Sequence, residues 1–125
     1  MDVLAWSAQR IVLYRNGPRG FVASTVPGAG GGPAAVGDFN KDGRTDLVVA
    51  NYGDDTISVL LSVRQTNSGK ATNTFLRTDY PVGVNPSAVI VTNLNKDGYQ
   101  DIIVASYHEN TVQVLLGKTN GQFEY

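Results

Sequence analysis

Residues 38–61, DFNKDGRTDLVVANYGDDTISVLL, lie over residues 93–116, NLNKDGYQDIIVASYHENTVQVLL, without a gap, and 12 of the 24 aligned positions are identical. The offset is 55 residues. A chain that repeats at this period builds from a supersecondary unit that buries its apolar faces against neighbouring copies, and most single-core folds are thereby excluded. A partial third copy opens the sequence: DVLAWSAQRIVLYRNGPRGF (2–21) follows the pattern of DIIVASYHENTVQVLLGKTNGQF (101–123), a few residues shorter. The sequence thus starts inside a repeat, just past the acidic loop of the other copies.

Each copy divides into short runs rich in β-branched and aromatic residues, AAVGDF, DLVVANY, TISVLL and TFLRTDYPV in the middle one, which read as strands. Asn16-Gly17, Asp42-Gly43, Asp97-Gly98 and Asn120-Gly121 suit tight turns between them. No window shows sustained helical periodicity. Four strands per unit is the arithmetic of a propeller blade. The runs LVVA and IIVA are apolar without alternation, as strands covered on both faces are. Lettering strands A to D outward, the chain runs BCD, ABCD, ABC and a short D, GQFEY. The expected fold is therefore all-β: about three four-stranded antiparallel blades in a single domain over 1–125, with repeats near 1–27 (partial), 33–83 and 86–125. Propellers close with about four to eight blades, so three make a partial ring, or one completed by a homo-oligomer with six blades as the simplest count. VPGAGGGP (26–33) and SVRQTNSGKATN (62–73) read as linker-like, the second lengthening the outer hairpin of the middle copy.

Asp38, Asp42 and Asp46 stand four residues apart, a spacing that sets like charges side by side on a helix and on one face of a strand. A cation resolves the conflict. Calcium takes oxygen ligands from a flexible loop, and D-x-N-x-D-G supplies them at alternate positions with a glycine for the bend. Asp38, Asn40 and Asp42 would occupy positions 1, 3 and 5, the Arg44 carbonyl position 7, and Asp46 position 9. An EF-hand begins the same way but needs a bidentate Glu at position 12 and flanking helices; position 12 is Val49, and Val104 in the second copy, and strands flank both.

D-x-N-x-D-G-x-x-D between short strands, followed by LVVANYG and TISVLL, resembles the FG-GAP or VCBS repeat of integrin-type β-propellers. The resemblance covers essentially the whole chain. It implies a loop joining the first two strands of a blade and holding calcium, carried over to Asp38, Asn40, Asp42, Arg44 and Asp46, and to Asn93, Asn95, Asp97, Tyr99 and Asp101. The second loop departs from the pattern because Asn93 replaces the first Asp, so the second of the two calcium sites is expected to be weaker.

Other signals are thinner. The net charge of −1 and scattered Lys and Arg argue against a nucleic-acid partner. No apolar run is long enough for a membrane span, and MDVLAWSAQR has no signal-peptide pattern. There is no cysteine and only one histidine, His108, which removes thiolate chemistry and a histidine-built metal site. The glycines at 28 and 30–32 are not followed by a phosphate-loop pattern or a helix. His108 beside Glu109 is loop variation, since Gly53 and Asp54 stand at the same places; Asp79 and Asp2 are single carboxylates with no assigned role. Trp6, Tyr52 and Tyr107 fall at nearly matching places after the second strand of each copy. Their expected role is packing, with stacking on sugars as the alternative.

No convergent acid–base or nucleophilic set is present, so an enzyme is not expected. The resemblance implies a calcium-stabilised binding module of adhesion or scaffold type with a protein or glycan ligand. A multivalent lectin propeller is the alternative, and an accessory domain of a secreted enzyme comes third. Calcium sites favour an extracellular or cell-surface setting, where the ion is abundant.

Overall fold

The computed structural model describes residues 3–6, 11–17, 20–26 and 32–125. Asp2 and the glycine stretch at 27–31 lie outside them. Strands β1 (Val3–Trp6), β2 (Ile11–Gly17) and β3 (Gly20–Val26) form a three-stranded sheet in sequence order. Strands β4 (Ala34–Gly37), β5 (Asp46–Asn51), β6 (Thr56–Asn67) and β7 (Lys70–Pro81) form the second sheet. Strands β8 (Pro86–Thr92), β9 (Asp101–Ser106), β10 (Thr111–Gly117) and β11 (Phe123–Glu124) form the third. Every ladder is antiparallel. Among the described residues the only helical piece is a short 3-10 turn at Thr119–Gly121. The all-β, blade-like architecture read from the repeat is the one observed, and the sheets fall as BCD, ABCD and ABCD.

The unalternating run of β5 is explained by its two faces. Leu47 and Val49 pack with Ile11 and Leu13 of the first sheet, while Val48 and Ala50 pack with Ile102 and Val104 of the third. All of these side chains are fully buried. Each such Val, Leu or Ile removed from water contributes about 1.5–3 kcal/mol before entropy is counted.

Two local expectations are corrected. Residues 62–73 do lengthen the outer hairpin of the middle copy, but as paired strand and not as a linker: β6 runs on to Asn67 and pairs with β7 from Thr56↔Pro81 out to Asn67↔Lys70. Ser68 and Gly69 turn this hairpin with φ of 53° and 78°, the left-handed pair that a two-residue turn matching strand twist requires. The stretch is polar, so it carries no apolar alternation. Asn16-Gly17 is not the turn either; it ends β2, with Gly17 paired to Gly20, and residues 18–19 lie outside the described ones.

Candidate metal loops

Each acidic loop joins the first two strands of a four-stranded sheet, 38–46 between β4 and β5 and 93–101 between β8 and β9. The bend is made by two left-handed residues: Lys41 and Gly43 in the first loop (φ 58° and 79°), Lys96 and Gly98 in the second (φ 60° and 89°). A Cβ on Gly43 would meet nothing, so only its backbone conformation demands glycine. Gly43→Ala should therefore cost about 1 kcal/mol, read as a shift in urea midpoint, whereas Gly43→Asn should cost less.

The loop carboxylates hold the loop's own N–H groups. Asp38 Oδ1 accepts from the Asp42 N–H (3.1 Å) and its Oδ2 from the Gly43 N–H (2.8 Å). Asn40 Oδ1 accepts from the Asp42 N–H (3.3 Å), and Asp42 Oδ1 accepts from the Arg44 N–H (2.8 Å). In the second loop Asn95 and Asp97 repeat the pattern, with the Tyr99 N–H donating to Asp97 Oδ1 at 2.9 Å. That bond is the main reason the Asp97 carboxyl lies below its ordinary pKa.

Asp46 and Asp101 do something more. Asp46, fully buried at the start of β5, accepts from the Phe39 N–H through Oδ2 and from the Ser62 N–H through Oδ1, both at 2.8 Å. Asp101 accepts from the Leu94 N–H and the Gly117 N–H, again both at 2.8 Å. One side chain thus ties the loop to the third strand of its sheet, and does so at equivalent places in both copies. Burial raises the Asp46 pKa to about 6, with the charges of Asp42 and Asp38 adding to it against the pull of the two N–H donors.

The loops also touch each other. Lys41 Nζ lies 3.9 Å from the centre of the Tyr99 ring, a cation–π contact across the sheet boundary. Phe39, at the second position of the first loop, is buried edge-on against Phe123 (ring centres 5.3 Å apart), while its counterpart Leu94 is half exposed.

All candidate ligands of each loop are therefore placed on one loop, and their donor atoms are oxygens, as a hard cation requires. Among the described residues no three His, Asp or Glu side chains are grouped to hold a metal by themselves, so amide and main-chain oxygens would have to complete a shell. Asn93 Oδ1 is buried without a hydrogen-bond partner. Where Asp38 satisfies two N–H groups, Asn93 leaves an acceptor free, and a cation would use it. The residues fit calcium on these grounds.

Of the aromatic positions, Trp6 lies in β1 with its side chain outside the described ones, and Tyr52 and Tyr107 are 50% and 71% exposed. The expected packing is not what the two tyrosines do. Asp79, given no role from the sequence, accepts from Ser58 Oγ (2.7 Å) and from Arg77 Nε (2.8 Å), and Ser58 accepts from Asn51 Nδ2 (2.7 Å). This polar ladder crosses β5, β6 and β7, and register alone would have brought it to light. The Arg77 guanidinium holds the Asp79 carboxyl below its usual range.

Family models agree with the repeat. An FG-GAP-like repeat model matches residues 1–49 and an FG-GAP repeat model matches residues 29–72, which together cover more than half of the chain. The chain belongs to the FG-GAP repeat family. No curated protein and no solved structure matches it. FG-GAP repeats are typically non-catalytic binding or scaffold modules of propeller type and occur in extracellular proteins. Among the described residues no helix is long and apolar enough to cross a membrane.

Proposed function

We propose that this FG-GAP chain is a calcium-stabilised recognition module of adhesion or scaffold type, acting outside the cell or at its surface on a protein or glycan ligand, with no catalytic role. The observation that supports it best is the recurrence of one oxygen-donor loop at the same strand crossing in two sheets, with a buried, unsatisfied Asn93 Oδ1 in the second. Asp38, Asn40, Asp42, the Arg44 carbonyl and Asp46 would hold one ion; Asn93, Asn95, Asp97, the Tyr99 carbonyl and Asp101 would hold a weaker one. Bound calcium would supply positive charge beside the carboxylates of one loop, and the residues themselves keep the crossing of the first two strands in place. A ligand bound only by the folded state stabilises it by mass action.

Calcium titration followed by melting and by calorimetry tests this. Millimolar calcium should raise Tm, and Asp38→Asn, which gives the first loop the composition of the second, should weaken its affinity about tenfold, or 1.4 kcal/mol. No heat of binding and no rise in Tm would sink the calcium reading. A second reading, a sugar-binding propeller, is favoured by the exposure of Tyr52 and Tyr107 at equivalent places. Exposed rings of this kind can stack on sugar faces, and repeated sites give avidity. Glycan-array binding lost in Tyr52→Ala/Tyr107→Ala would support it; binding unchanged by the pair would remove it.

A further inference from the structure

The two metal loops differ in where their nearest cation comes from. In the first loop the Arg44 guanidinium lies 3.5 Å from Asp42 Oδ2. Moved forward by the 55-residue repeat, Asp42 becomes Asp97 and Arg44 becomes Tyr99. The second loop therefore carries no arginine beside its central carboxylate. A cation reaches it from the neighbouring sheet instead. Lys41 Nζ, from the first loop, stands 3.9 Å from the centre of the Tyr99 ring. It also lies against Gly98, where an added Cβ would be 3.2 Å from the same Nζ. Gly98 and Tyr99 are the two residues that follow Asp97.

The charge of Lys41 is not spent elsewhere. Among the described residues Lys41 forms no ion pair, whereas Lys118 is matched by Glu124, with Nζ 2.7 Å from Oε1. The Tyr99 platform belongs to the second loop itself, since the Tyr99 N–H donates to Asp97 Oδ1 at 2.9 Å. The field of the ammonium is felt at that carboxylate. The Asp97 pKa is lowered first by the Tyr99 N–H, and the Lys118 and Lys41 charges add to the effect. The second loop has two carboxylates, Asp97 and Asp101, where the first has three. One opposing positive charge therefore removes a larger share of its attraction for a cation.

We infer that Lys41, a residue of the first metal loop, sets the cation affinity of the second. Its ammonium, seated on the Tyr99 ring and against Gly98, holds a positive charge beside Asp97 that opposes a divalent ion there. The inference rests on the calcium reading and deepens it. On this account the second site is weak for two reasons, the loss of a carboxylate at Asn93 and the lysine of the adjoining loop. Lys41 is not a ligand; it acts through its charge. An ion entering the second loop must displace the ammonium or bear its repulsion, so the affinity of one loop depends on a side chain of the other.

Calcium titration of the full chain followed by amide NMR tests it, with the Gly43 and Gly98 N–H groups reporting the first and second loops separately. At low ionic strength Lys41→Met should lower the Gly98 midpoint about fivefold, the order expected for a unit charge ~8 Å from a divalent ion at the dielectric of water. Lys41→Arg keeps both the charge and the ring contact and should keep the wild-type midpoint. Added salt should narrow the gap between wild type and Lys41→Met, because exposed charges are screened. Lys41 is exposed, so the strand signal in circular dichroism should be unchanged in both variants. A Gly98 midpoint that Lys41→Met leaves in place, with Gly98 still responding to calcium, overturns the inference and leaves the calcium reading standing. A shift as large in Lys41→Arg as in Lys41→Met would assign the effect to packing on the ring, which also overturns it. If neither amide responds to calcium in the wild type, the calcium reading falls and the inference falls with it.

Discussion

Replacing Asp46 with Ala will lower the stability of the calcium-free protein by about 3 kcal/mol, a fall on the order of 10 °C in Tm for a domain of this size. The reason is the pair of N–H groups that lose their acceptor. Phe39 is 2% exposed and Ser62 is fully buried, so water has poor access to either. Each orphaned buried donor costs roughly 1–3 kcal/mol, partly offset because a buried charge is removed with the side chain. Asp101→Ala should behave alike, since the Leu94 and Gly117 N–H groups depend on it. Asp42→Ala, in contrast, removes an exposed side chain bonded only within the loop, and should cost under about 1 kcal/mol. Urea denaturation in chelator separates the cases. Equal, small losses for Asp46 and Asp42 would mean that the clasp to β6 carries no weight, and that position 9 of the loop matters only when a metal is bound.

The contrast between these two aspartates also marks how far the sequence could be read. Both are spaced as ligands, and a one-dimensional pattern treats them alike. The second acceptor role of Asp46 involves the N–H of Ser62, a main-chain donor 16 residues away that no residue type announces. The contact of Lys41 with Tyr99 was equally hidden, because it depends on how two sheets lie side by side. What was legible is what repeats. The 55-residue offset placed the strands of two sheets, and the run Leu47–Val48–Val49–Ala50 announced a strand with neighbours on both faces. The hairpin around Ser68-Gly69 was read as a lengthened outer hairpin of linker-like composition and not as strand, because its polar residues lack the apolar alternation that identifies one. Tyr52 and Tyr107 misled in the opposite sense: large rings predict packing by base rate, and these two sit on turns that reach past the core.

In calcium-free solution the protein should lose stability as pH rises from near 4 to above 6. Burial lifts the Asp46 pKa from its ordinary 3.8 to about 6 in the folded state. Between those values the unfolded carboxyl has released its proton and the folded one still holds it. The folded state then binds more protons, and stability falls with rising pH. The contribution is fully present below the unfolded pKa and gone once pH has passed through the folded one. The gap corresponds to roughly 3 kcal/mol. The cost of Asp46→Ala should therefore be larger at pH 5 than at pH 7, where the wild type already carries a buried charge. Calcium favours the ionised carboxylate, so under the proposed binding its stabilising increment should grow through the same window. Urea midpoints in chelator at several values across that range, for the wild type and for Asp46→Asn, decide the matter. The Asn variant cannot ionise at this position and should flatten the profile; a slope that persists in it would assign the titration to other groups.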